Sequence, residues 1–168
     1  LKKEWISQGY DNKKHEEERF SQGEEMLDKF YKANCNPFVR PLRLEESFSF
    51  NLKNGVKVFG KIDRIDPKGK GIEIIDYKTG TENPKAQKAH ELQLAMYALA
   101  ATRIKDEVLN RDPKDITLTL HFLEGNTKKS MTFTSMAFAS SGASNIIFSN
   151  SSLCFRDALA SFSKNSAV

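Results

Sequence analysis

Two aspartates and a lysine, Asp63, Asp76 and Lys78, are the residues of this chain whose types and spacing can do chemistry together. They stand in Gly60-Lys61-Ile62-Asp63-Arg64-Ile65-Asp66 and, after a turn, in Ile74-Ile75-Asp76-Tyr77-Lys78-Thr79-Gly80. On a strand, residues two apart share a face, so Asp76 and Lys78 point one way and Ile75 and Tyr77 the other. Asp63, near the end of the preceding strand, is brought beside Asp76 by a tight connection. Two such carboxylates resist joint ionisation unless a cation lies between them. Hard oxygen ligands with no neighbouring His or Cys favour Mg²⁺ or Mn²⁺ over Zn²⁺. Such an ion lowers the pKa of bound water and polarises a phosphate oxygen. Lys78, a point charge beside it, can hold the attacking hydroxide or stabilise a pentavalent phosphate. The competing reading is an Asp and a Lys on the wet face of an antiparallel strand.

Positioning these residues requires strands and helices around them. Residues 11–33 are charged, with an apolar stripe at Phe20, Met26, Leu27, Phe30 and Tyr31, which predicts a long amphipathic helix exposed on most of its surface. Asn34 to Pro41 holds two prolines and breaks it. The period then turns to alternation. Leu44, Ser47, Phe48, Phe50 and Leu52 predict a first strand, ending at Asn54-Gly55, a strong short hairpin signal. Val56, Val58 and Ile62 continue into a second strand, closed by Pro67-Lys68-Gly69-Lys70-Gly71. Ile72, Ile74 and Ile75 make a third, stopped at Thr79-Gly80. Residues 85–106 run helically, with Leu92, Ala95, Met96 and Leu99 as the expected buried face. Ile116 to Leu123 is a further strand, turning at Glu124-Gly125-Asn126 into Ser130 to Thr134. Helix, three antiparallel strands, helix and strand make an α/β sandwich with a mixed sheet. From Thr134 on, serine dominates without amphipathic period or repeat. The expected division is a domain over 1–134, with its helix at 11–33 and its core at 43–134, then a serine-rich segment over 135–168 with no functional assignment.

At 168 residues the chain is one domain, able to bury roughly two thirds of its unfolded surface. Its 39% hydrophobic and 10% aromatic content supports a globular core. No apolar run approaches the roughly 20 residues needed to cross a bilayer. The start, Leu1-Lys2-Lys3-Glu4-Trp5, has no initiator Met and no signal-peptide pattern, so the chain is expected to be cut from a longer, cytoplasmic protein. A net charge of +4 is compatible with a polyanionic partner, though weak alone. Cys35 and Cys154 lie far apart with no Cys-x-x-Cys spacing, which favours a reducing compartment over a disulfide. They leave no four-sulfur set for zinc or an iron–sulfur cluster.

Gly60-x-Ile62-Asp63, then Asp76-x-Lys78, then Gln93 and Tyr97 as Gln-x-x-x-Tyr, resembles the motif set of the RecB-like PD-(D/E)xK nucleases over about residues 44–125. That family looks like a nuclease module attached to helicases in recombination and repair complexes, and also occurs in CRISPR spacer-acquisition nucleases. The resemblance implies a restriction-endonuclease-like sandwich, a mixed central sheet flanked by helices. It implies Mg²⁺- or Mn²⁺-dependent hydrolysis of DNA phosphodiester bonds, in exo- or endonuclease mode. The implied partners are DNA, single-stranded or with free ends, and a linked or associated helicase. Carried over by position, Asp63 and Asp76 would ligate the metal, with the Tyr77 backbone carbonyl as a further ligand. Lys78 would be the catalytic lysine, and Gln93 and Tyr97 would brace the site or touch the DNA. Glu46, on the first strand, is a secondary candidate for metal support. Two features depart from the pattern. The branch commonly has a histidine metal ligand on a helix before the Asp63 motif, and His15 lacks the Gly-x-x-x-His setting, so that ligand is expected upstream of Leu1. The cysteine cluster that supports an iron–sulfur site in some members is missing after Leu123. The alternative expectation is therefore a catalytically incomplete DNA-binding scaffold within a helicase complex. Joint retention of Asp63, Asp76 and Lys78 favours the enzyme.

His90 shares a helix face with Gln93 and Tyr97. Together with Arg64, Lys68, Lys70 and Lys85 it is a candidate DNA contact. Arg64 has a competing reading as a structural partner of Asp66 or Glu73, and the lysines as solvated loop residues. Gly55-Val56-Lys57-Val58-Phe59-Gly60-Lys61 has the spacing of a phosphate-binding loop. The residue after it is Ile62 rather than Ser or Thr, and its interior is β-branched and aromatic, so a strand and no nucleotide cofactor are expected.

Overall fold

A computed structural model describes residues 1–52 and 55–132. Five strands form one sheet in chain order: β1 (Arg43–Asn51), β2 (Lys57–Lys68), β3 (Gly71–Lys78), β4 (Ile116–Phe122) and β5 (Thr127–Thr132). Neighbours run antiparallel except β3 and β4, which are parallel. A parallel step needs a crossover, and helix α2 (Gln87–Arg103) supplies it. Helix α1 (Lys13–Asn34) precedes the sheet. Its Phe30 meets Tyr77 on β3, whereas Tyr97 of α2 meets Asp76. Successive strand residues point to opposite faces, so the two helices cover opposite sides. The mixed α/β sandwich expected from the sequence is the fold.

Local chemistry explains the elements. Asn12 caps α1, its side chain accepting the His15 N–H at 3.0 Å. The pairs Lys14–Glu18, Glu25–Lys29 and Asp28–Lys32 lace the wet side of that helix. No residue of α1 is buried. Phe20, Met26 and Phe30 are half-buried, but Leu27 and Tyr31, expected in the same stripe, are exposed. Contact with the sheet is narrower than the stripe implied. Helix α2 shows the opposite mismatch. It buries Leu94, Ala95, Tyr97, Ala98, Leu99 and Ala101, while the expected Leu92 and Met96 are only partly buried. From Leu94 to Ala101 its sequence is apolar without a break, so periodicity alone does not select the buried face there.

The first hairpin forms as expected, with the Leu52 N–H on the Val56 carbonyl at 2.8 Å and Gly55 at φ 83°. Asn54 itself lies outside the described residues. Strand β2 runs through Pro67 and Lys68, which the sequence had suggested as its closing turn. The phosphate-loop decoy, Gly55 to Lys61, is strand from Lys57 on. Gly71 starts β3 where a β-carbon would lie 1.9 Å from the Asp115 carbonyl oxygen, so only glycine fits. Strand β3 is covered on both sides, with Ile72, Ile74, Ile75 and Asp76 all buried. Each fully buried isoleucine contributes roughly 1.5–3 kcal/mol. Cys35 is free and exposed. Among the described residues no helix is long and apolar enough to cross a membrane. The expected boundary at 134, Cys154 and the serine-rich segment lie outside the described residues.

Candidate active site

The site is built where two paired strands part. The β2–β3 ladder runs from Lys68↔Gly71 to Arg64↔Ile75 and stops. The next pair in register would be Asp63 and Asp76. Instead, the Asp63 carboxylate takes the place of a ladder carbonyl, its Oδ2 accepting the Tyr77 N–H at 2.9 Å. Asp63 is thus in the middle of β2 rather than near its end, at the point where β2 leaves β3 and stays paired with β1 alone. Across from it on β1, Glu45 has φ 52°, a conformation L-residues rarely adopt. Ile62 and Ile65, three apart, both belong to the core, so strict alternation breaks at Asp63.

Beside Asp63, four side chains close a ring. Asp76 is 2% exposed. The Tyr97 hydroxyl lies 3.2 Å from its Oδ1 and 3.0 Å from the Lys61 carbonyl oxygen, two acceptors for one proton. Gln93 donates its Nε2 to the Tyr97 oxygen at 2.8 Å, and its Oε1 accepts from the Lys78 ammonium at 2.8 Å. Lys78 Nζ returns to Asp76 Oδ2 at 2.6 Å. Burial, then the Asp76 charge, pushes the Tyr97 pKa up, so the phenol stays protonated and remains a donor. One position in the ring is incomplete. Asp76 Oδ2 is buried and receives no directed hydrogen bond, although the ammonium is close. The ammonium is the one group that approaches this oxygen among the described residues, which leaves Oδ2 with acceptor capacity to spare.

The glycine of the Gly60-x-Ile62-Asp63 motif supports this ring from behind. A β-carbon on Gly60 would lie 2.7 Å from the Phe48 ring, which crosses over it. Phe48 in turn packs edge-on against Tyr97, centroids 5.9 Å apart. The space left by the glycine lets an aromatic hold the tyrosine in place.

A family model described as the PD-(D/E)XK nuclease superfamily matches residues 2–158. The chain belongs to this superfamily. No curated protein matches it. Its sheet and flanking helices are the restriction-endonuclease-like α/β fold of these nucleases, which generally use divalent metals. The donor set suits such an ion. Asp76 Oδ2 and the Asp63 carboxylate are hard oxygens, and a cation there would give the open lone pair its partner. Among the described residues, however, no group of three or more His, Cys, Asp or Glu side chains is arranged to hold a metal.

The remaining sequence candidates of this PD-(D/E)XK nuclease fall into three groups. Gln93 and Tyr97 join Asp76 and Lys78 in the ring, as their spacing suggested. Glu46 stays outside: it faces Ile62 across the β1–β2 ladder and approaches Arg43 at 3.9 Å. Arg64 is committed elsewhere, its Nε on Asp66 at 2.7 Å and its Nη2 on the Val39 carbonyl at 2.8 Å. That is the structural reading the sequence left open. Lys68 pairs with Glu73 at 3.1 Å. Lys70 and Lys85 are exposed, and His90 is half-buried with its ring 6.0 Å from that of Phe122. His15 sits in the first turn of α1 between Asp11 and Arg19. The Lys61 carbonyl was not foreseen, because a backbone acceptor leaves no trace in residue type.

Proposed function

We propose that the chain is the nuclease domain of a RecB-like, Mg²⁺- or Mn²⁺-dependent deoxyribonuclease. Asp63 and Asp76, with the Tyr77 carbonyl, hold the metal, and Lys78 is the catalytic lysine. The carrying observation is the closed ring of Asp76, Lys78, Gln93 and Tyr97 around one open, buried carboxylate oxygen. A surface Asp-x-Lys would be solvated; here Asp76 is 2% exposed and ordered from two sides. When bound, the metal would polarise the phosphate and make its water more acidic. The chain's own residues do the rest. Tyr97, kept protonated, fixes the Asp76 carboxylate. Gln93 orients the Lys78 ammonium, whose charge meets the negative charge developing on the phosphate. The motif resemblance extends the reading to single-stranded or free-ended DNA, to a linked helicase and to recombination or repair. A free, exposed Cys35 agrees with a reducing, cytoplasmic setting.

The absence of a third metal-ligand side chain among the described residues supports a second reading, a DNA-holding scaffold. One experiment separates them. End-labelled single-stranded DNA is incubated with wild type and Asp76→Ala, in Mn²⁺ and in EDTA. Cleavage that needs Mn²⁺ and vanishes in Asp76→Ala is expected. Equal cleavage by both proteins would sink the assignment, and binding without cleavage by wild type favours the scaffold.

A further inference from the structure

The β1–β2 hairpin runs on past the end of β3. Only the stretch of β2 from Arg64 to Lys68 pairs with β3, whereas Lys57 to Ile65 pairs with β1. This free arm has two unlike faces, because successive strand residues alternate. Val58 and Ile62, with Phe48 and Phe50 on β1, pack into the core under α2. The opposite face carries three cross-strand pairs, Asn51–Lys57, Ser49–Phe59 and Ser47–Lys61, and all six side chains are exposed. Phe59 is 77% exposed, the most of any large apolar residue described. A lone exposed aromatic is ordinary on a protein surface. Here its neighbours matter. A lysine stands two residues away on each side, about 7 Å along the strand. Among the described residues Lys57 makes no ion pair, and Lys61 meets only the exposed Glu45. An exposed pair of that kind is weak and yields readily to a phosphate.

We propose that this face is a docking platform for single-stranded nucleic acid. One unpaired base stacks on Phe59, and Lys57 and Lys61 take the phosphates beside it. The inference takes its polyanion from the nuclease reading and deepens it by placing the strand outside the site. Charge decides the occupant. Two lysines against one acid favour an anion, and hydroxyl and amide side chains fill the second row. A single ring offers too little apolar area for the core of a protein interface. It is enough for one base, which stacks without regard to sequence. A duplex keeps its bases inside and gives the ring no free π-face. The platform and the Asp76–Lys78 pair lie on different faces, and they meet at the free edge of β2. There the Lys61 carbonyl accepts the Tyr97 hydroxyl at 3.0 Å, and Asp63 follows two residues on. Phe59 and Asp63 are four strand residues apart, about 13 Å. The stacked base therefore belongs to a nucleotide beyond the cut bond, on a strand that turns over this edge.

The test uses the whole chain. Binding is measured in Ca²⁺ with a labelled oligothymidylate and with an abasic strand of equal length, and cleavage in Mn²⁺. Phe59 is exposed, so its replacement leaves the core untouched. Phe59→Ala should weaken oligothymidylate binding roughly tenfold, the worth of one stacked base, and leave the abasic strand unaffected. Phe59→Trp should keep the affinity. Lys57→Ser should weaken both strands alike and reduce the salt slope by about 0.7. In cleavage, KM should follow affinity while kcat holds. Unchanged oligothymidylate affinity in Phe59→Ala, with cleavage intact, overturns the platform and leaves the nuclease standing. A loss equal for both strands overturns stacking as its basis. Phe59-dependent binding without cleavage of any strand upholds the platform and overturns the nuclease reading instead. A wild-type dimer that Phe59→Ala dissolves, at unchanged DNA affinity, overturns the platform in favour of a second copy of the chain.

Discussion

The two faces of β3 both hold buried charge, and they treat it differently. On the α1 side, the buried polar groups are paired. Arg64 binds Asp66 at 2.7 Å, Glu73 meets Lys68 and Thr119, and the His121 ring faces Asn126 at 2.8 Å. On the α2 side, Asp76 is more deeply buried than Asp66, yet at Oδ2 it meets only the Lys78 ammonium and keeps acceptor capacity to spare. A polar cluster that only has to be stable can close all its hydrogen bonds. One that has to receive a ligand must keep an acceptor free, at a cost in stability. The same strand therefore carries a finished structural network on one side and an unfinished one on the other.

The largest expected effect falls on the unfinished side. Lys78→Met should slow single-turnover cleavage roughly 10²–10³-fold, about 3–4 kcal/mol, while DNA affinity measured in Ca²⁺ changes much less. A solvated lysine would leave both unchanged, and a substrate anchor would lose binding instead. Next comes the finished side. Asp66→Ala removes the charge partner of the Arg64 guanidinium, whose side chain is only 14% exposed and which keeps just the Val39 carbonyl of the two bonds described. A fold loss of about 2 kcal/mol is expected by denaturant titration, below the 3–5 kcal/mol of a fully buried pair. Cleavage per folded molecule should hold, and Mn²⁺ should not restore the lost stability. If it does, the two faces are not separate networks. Tyr97→Phe is smaller. Removing one hydroxyl should cost about 1 kcal/mol of stability and slow cleavage roughly fivefold, because Asp76 keeps Lys78 but loses its other orienting donor.

The smallest effect is a pH dependence confined to the α1 side. Burial lowers the His121 pKa below its ordinary 6.5, with Lys128 and Arg64 adding to the effect and Asn126 opposing it. The folded protein therefore binds that proton less readily than the unfolded chain does. The stability His121 contributes is complete above about pH 6.5 and is lost as pH falls below it toward the folded value. Melting followed from about pH 8 to pH 5 should decline less steeply in His121→Phe than in wild type. Identical slopes would remove His121 from the account.

Much of this was legible in the chain. Alternation placed β3 and put Asp76 and Lys78 on one face, and the Gln-x-x-x-Tyr spacing put Gln93 and Tyr97 on one face of α2. Both follow from period alone. What stayed hidden depended on partners distant in sequence. The parting of β2 from β3 at Asp63 has no residue signature, since a carboxylate accepting a backbone N–H looks like any strand Asp. The role of Gly60 needed the Phe48 ring in view. Leu94 and Ala98 were passed over in a helix too apolar to show a face. Arg64 read as a partner of Asp66 or Glu73 or as a phosphate contact, and its bonds to Asp66 and to the Val39 carbonyl decide for the structural pair.

The single parallel step in the sheet divides local from distant pairing. Strands β1 to β3 are joined by tight turns, so their pairing is local and closes at small entropic cost. Tyr97 reaches Asp76 across 21 residues and the Lys61 carbonyl across 36, and only after α2 has crossed back over the sheet. A chain folded as far as Lys78 already displays Asp63, Asp76 and Lys78, but lacks the residues that fix their orientation. The groups that orient the acids are thus supplied by the crossover and not by the hairpin that carries them.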